Sequence, residues 1–104
     1  MGEYSITNPQ IFRVTAFEIV DEYTLHLTFN DQSEQIIDFE PILLGPVFSA
    51  LKKRQLFNQV ALDKDFGTLI WPNGADIEPN VLHDWPDHVD AIIERRKQAL
   101  AVNQ

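Results

Sequence analysis

The side chains that could do chemistry gather in a few places. His83, Asp84, Asp87, His88 and Asp90 form the densest run of imidazole and carboxylate groups, donors that suit zinc, nickel or manganese. His83 and His88 stand five residues apart with Pro86 between them, which sets them on different helical faces. His83, Asp87 and His88 are thus candidate metal ligands, and their plainer role is to open a helix whose first turn is acidic. Asp76 and Glu78 flank Ile77, and with Asp63 or Asp65 they could supply an acid and a base to a hydrolytic reaction. Trp71 and Trp85 stand near polar loop residues such as Asn73 and could line a ligand cleft, although large aromatics in a small domain are more often core. Asp76 too has a plainer role, accepting hydrogen bonds from amides of its own loop.

Six of the eight basic residues fall in two triplets, Lys52-Lys53-Arg54 and Arg95-Arg96-Lys97. Such triplets can hold phosphate. Against that, sixteen acidic residues bring the net charge to −8, and a polyanion is repelled over most of such a surface. The second triplet also falls late in a predicted helix, where cations complement the dipole. Direct nucleic-acid binding is not expected, and spacing alone does not decide whether the triplets meet. The absence of cysteine excludes disulfides, a thiolate nucleophile and sulfur-ligated metal. The glycines Gly2, Gly45, Gly67 and Gly74 are too scattered for a phosphate loop or a dinucleotide fingerprint. No cofactor is expected.

These side chains need elements to position them. A chain of 104 residues with 44% hydrophobic and 23% charged residues fits one folded domain. Residues 1–12 read as a polar lead-in and residues 13–104 as a single α+β domain. Residues 13–20 are rich in β-branched and aromatic types. In the next strand Leu25, Leu27 and Phe29 alternate with Thr24, His26 and Thr28, and a third strand over 34–39 turns Ile37 and Phe39 to the same face. Short connections make residues 13–39 a three-stranded antiparallel meander. After Pro41 the period becomes helical: one turn stopped by Gly45-Pro46, then a short helix near 47–52 burying Val47, Phe48 and Leu51. Leu56, Phe57 and Val60 lead into a second β-hairpin over 59–71. Residues 77–82 are expected to make a brief helical turn. A C-terminal helix over 86–102 is opened by Asp84 as N-cap, with Trp85, Val89, Ile92, Ile93 and Leu100 as its apolar stripe.

Laid in order, these features resemble a bacterial family of small domains of unknown function, number twenty-four forty-two. The specific run is Gly67-Thr68-Leu69-Ile70-Trp71-Pro72-Asn73-Gly74-Ala75-Asp76, supported by the Asp38-Phe39-x-Pro41 exit from the meander. The resemblance implies a small α+β domain with antiparallel sheets and carries over no catalytic residues. Some relatives have an appended helix-turn-helix domain, whereas one predicted helix follows Trp85 here. The family pattern often has glycine after the turn aspartate, where Gln32 follows Asp31.

The expected function is a non-enzymatic protein-interaction or regulatory module, as in a pair of small bacterial proteins of the toxin–antitoxin kind. The alternative is a small-molecule-binding or hydrolytic protein using the loop from Trp71 to Asp76 with Glu78 and His83. A protein partner is expected, as is a two-fold homodimer, because a small sheet has edges to cover. The N-terminus lacks a basic region followed by an apolar stretch, and no apolar run reaches the ~18 residues of a membrane span. A cytoplasmic location follows as the default.

Overall fold

A computed structural model describes residues 11–102. Three antiparallel strands, β1 (Val14–Asp21), β2 (Thr24–Phe29) and β3 (Glu34–Asp38), form the first sheet in that order. The period-two pattern fixes its register. Leu25 pairs with Ile37 across β2 and β3, and Leu25, Leu27, Phe29, Ile37 and Phe39 are all buried on the inner face. A slip of one residue would turn this whole set to solvent. The expected meander and the α+β class are both present. Of the polar lead-in expected over residues 1–12, residues 1–10 lie outside the described residues.

Phe39 does not extend β3. It caps a 3-10 turn, Glu40–Ile42, with Pro41 inside it. The next segment also differs from expectation. Gly45 and Pro46 begin helix α1 (Gly45–Phe48) instead of stopping a turn, since proline is tolerated in a first turn. A 3-10 stretch, Ser49–Lys52, follows. Helix α2 (Arg54–Phe57) occupies residues read as a lead-in to a strand. Val47, expected to be buried, is 44% exposed, while Leu51 and Phe57 are fully buried. Val47 lies within α1, before the 3-10 stretch that carries the buried Leu51.

The second sheet keeps the expected hairpin, with β4 (Ala61–Asp63) against β5 (Thr68–Ile70), and adds a short strand, β6 (Asp76–Ile77), on β5. Residues 77–82 are therefore not one helical turn. Pro72, Asn73 and Gly74 reverse the chain, with Gly74 at φ +92°, so that residues 76 and 77 return antiparallel to β5. Glu78 stays extended before Pro79, as pre-proline sterics require. Helix α3 (Pro79–His83) then begins, and α4 (Trp85–Val102) completes the fold.

The two sheets share one core, whose aromatic centre is Phe39, Phe57, Trp71 and Trp85. The seam between them is a backbone contact. The Val14 amide donates to the Gly67 carbonyl (3.0 Å), and the Arg13 guanidinium reaches the Asp65 carbonyl (2.8 Å). Gly67 has φ +68°, and a Cβ placed on it would lie 2.5 Å from Arg13 Cβ and 2.9 Å from the Val14 nitrogen. Only glycine allows this approach. No helix among the described residues is long and apolar enough to cross a membrane.

Candidate functional site

His83 is the titratable group most strongly engaged by its surroundings. It ends α3, and its Nδ1 lies 2.9 Å from Asp84 Oδ1 while its Nε2 lies 2.8 Å from Asp31 Oδ2. Asp31 comes from the turn between β2 and β3, so the imidazole joins the α3–α4 elbow to the meander. The ring stacks on Phe12 (centroids 3.5 Å apart, planes 9° apart) and meets Phe29 edge to face at 5.1 Å. Gln35 Nε2 donates to the His83 carbonyl at 2.7 Å, capping the end of α3 from β3.

The local sequence explains the turn. Asp31 Oδ1 accepts from both the amide and the hydroxyl of Ser33 (3.0 and 2.6 Å), which lets Gln32 take the left-handed position at φ +74°. The hydrogen bond from Ser33 and then that from His83 lower the Asp31 carboxyl to about 2. Burial pulls the His83 imidazole downward, but the hydrogen bonds from Asp84 and Asp31 outweigh it and raise its pKa above the ordinary histidine value. Both ring nitrogens face carboxylates. The group is an ion-paired clamp with no nitrogen turned toward open space.

The other residues singled out from the sequence do not join it. Trp71 and Trp85 are 4% and 7% exposed, so neither opens onto a cleft. Trp71 donates its indole N–H to the Phe57 carbonyl at 3.0 Å. Asn73 is structural: its Oδ1 accepts from the Ala75 amide (3.2 Å) and its Nδ2 donates to the Val47 carbonyl (3.0 Å). The amide-accepting role expected of Asp76 thus belongs to Asn73, which stands two residues before the amide and closes an Asx turn. Asp76 lies exposed on β6, and Glu78 is exposed just before α3. No hydrogen bond or ion pair links either of them to His83 among the described residues. Asp87 is exposed and His88 half-buried on α4. Among the described residues no three histidine, aspartate or glutamate side chains are grouped to hold a metal ion.

A second region went unread at the sequence level, although both of its charged parts were noticed. Two adjoining depressions share Leu44, Gly45, Pro46 and Leu100. One, of about 290 Å³, runs between α1 and α4 and includes Val47, Phe48 and Arg96. The other includes Lys52. One residue from each basic triplet, Lys52 and Arg96, therefore lines one continuous apolar groove. The Arg96 guanidinium lies over the Phe48 ring, 4.1 Å from its centroid, and donates to the Ile42 carbonyl. Burial, and then the charge of neighbouring Arg95, draw Arg96 below the usual arginine range. Of the six triplet residues, only Arg54 is ion-paired among the described residues, with Glu22 at 3.7 Å.

Against known proteins, residues 14–87 match the family described as "Protein of unknown function (DUF2442)". No curated protein and no solved structure matches the chain. The chain belongs to the DUF2442 family, and the match spans both sheets and the His83 clamp.

Proposed function

We propose that the protein is a non-enzymatic interaction module whose working surface is apolar and lies at the edges of the fold. The observation that carries this reading is the placement of solvent-exposed apolar side chains among the described residues. Val47 and Leu100, 44% and 39% exposed, border the α1–α4 groove, and Ile19 and Val20, 41% and 48% exposed, occupy the distal half of the edge strand β1. Among the described side chains of α4 only Trp85 is buried, while Val89, Ile92 and Ile93 are half-buried. Among the described residues, helix α4 is therefore incompletely covered, as a helix that also contacts another molecule would be. The hydrolytic alternative is less well supported, because Asp76, Glu78 and His83 do not converge and Trp71 packs inside.

A homodimer through β1 is a narrower form of the same reading. Its register shifts between Val14 and Ala16 and again between Ile19 and Asp21, and such irregularities blunt edge pairing. The groove is the better surface. Affinity capture with the tagged full-length chain in an extract of its native host tests the reading: a protein should be recovered in stoichiometric amount and lost when the apolar rim is charged. Repeated recovery of the chain alone, monomeric by light scattering, would contradict it.

A further inference from the structure

The groove also specifies the chemistry of what it holds, an inference that rests on the interaction-module reading. Its floor is apolar, from Leu44, Pro46, Val47 and Phe48, and its two ends are cationic, from Lys52 and Arg96. The charge is out of keeping with the rest of the molecule. A chain of net charge −8 brings one residue from each of its two basic triplets, Lys52 and Arg96, to this groove, and neither has a carboxylate partner among the described residues. Sixteen acidic side chains were available to neutralise them. No acidic side chain lines the groove among the described residues.

Arg96 is the telling residue. It is half-buried, tied to the Ile42 carbonyl and laid on Phe48, so its position is set before any ligand arrives. A partly desolvated guanidinium without a carboxylate is an incomplete interaction, and an incoming acid completes it with a charge-assisted bond.

We propose that the α1–α4 groove docks a short acidic segment of a partner protein, with apolar side chains against Val47 and Phe48 and carboxylates at Arg96 and Lys52. The acidic remainder of the surface disfavours a long polyanion, whose charges would extend past the groove onto like charge. It tolerates a short segment whose charges end at the groove. The pairing of an apolar anchor with flanking charge supplies both affinity and orientation.

The test uses the full chain and fluorescence anisotropy. The probe is a labelled synthetic peptide of about ten residues, with a leucine–phenylalanine–leucine centre flanked by glutamates and aspartates. Three controls accompany it: the same centre flanked by lysines, a glutamate-only peptide of equal length, and a short single-stranded DNA. The acidic apolar peptide should bind saturably, at least about tenfold tighter than any control, and weaken with added salt. Val47 and Lys52 are exposed, so Val47→Glu and Lys52→Glu should keep the wild-type circular dichroism spectrum, and each should weaken binding about tenfold or more. Absence of binding, equal binding of a control, preference for DNA, or unchanged affinity in both variants would overturn the proposal. The two readings fail separately. If a native partner is still captured by Val47→Glu, the module stands and the groove assignment falls; if no partner is ever captured, the broader reading falls.

Discussion

The His83 clamp and the Arg96 groove lie at different places on the fold and treat charge in opposite ways. At His83 an imidazole sits between two carboxylates and against two phenyl rings, so every polar valence is answered within the chain. At Arg96 a guanidinium of similar confinement has a backbone carbonyl and a ring, and no acid. Both groups are partly withdrawn from water. Only the first is complete. A completed cluster stabilises the fold, whereas an incomplete one has affinity in reserve for something else. The contrast teaches that His83, in the run most suggestive of chemistry, has its ring nitrogens engaged within the chain, whereas Arg96, noticed only as part of a basic triplet, has no acid against it among the described residues.

The largest effect should come from the seam on which both regions depend. Gly67→Ala forces an L-residue to φ +68° and drives a methyl group into Arg13. Separating the sheets at this point should lower stability by more than about 3 kcal/mol, and by more than about 12 °C in melting temperature. Calorimetry checks it. A melting point within a few degrees of the wild type would mean that the sheets do not depend on this contact, and the two regions could then no longer be compared on a common frame.

A smaller loss is expected at the clamp itself. His83→Ala removes two hydrogen bonds and both ring contacts and should lower stability by about 1–3 kcal/mol, with peptide binding at the groove unchanged. The pH dependence follows from the shifts. The raised His83 pKa contributes stability that is fully present below 6.5 and is lost as pH rises through the folded value. The lowered Asp31 pKa contributes stability that is present above 3.8 and is lost as pH falls toward about 2. The difference in melting temperature between wild type and His83→Gln should therefore be greatest between about pH 4 and 6.5. A difference that stays flat from pH 3 to 9 would remove the ion pair from the account.

The smallest effect is assigned to Asp76. It is exposed, and the loop amide is held by Asn73, so Asp76→Asn should change the melting temperature by less than about 2 °C. Asn73→Ala should lose more, about 1–2 kcal/mol, because it loosens both the Ala75 amide and the tie to Val47. If the two variants reverse that order, the loop is held differently from this description.

Much of the fold was legible because it is written in periodicity. The alternation Leu25-x-Leu27-x-Phe29 and the facing Ile37 and Phe39 leave one register for the meander. The turn signal Pro72-Asn73-Gly74 was equally plain, but its product, the two-residue strand β6, was too short to show any alternation. The segment from Glu40 to Phe57 changes geometry every few residues, from 3-10 to α and back, so a single helical period does not run through Val47 in α1 and Leu51 in the 3-10 stretch, and the exposure of Val47 was not foreseen. At the candidate site, the run from His83 to Asp90 drew attention by local density, whereas the Asp31–His83 pair spans fifty-two positions in the chain and leaves no local signal. The groove was half legible. Both basic triplets stood out, and only the folded path of residues 43–48 against α4 brings Lys52 and Arg96 to one groove.

The central claim, that the clamp is closed and the groove open, is tested most directly by mapping amide chemical shifts of the full-length protein during titration with the acidic apolar peptide. The account predicts saturable shifts confined to residues 44–52 and to the C-terminal half of α4 around Arg96, with Asp31, Ser33 and His83 unmoved. Shifts centred on Asp31 and His83, or on the free edge of β1 with the groove silent, would contradict it.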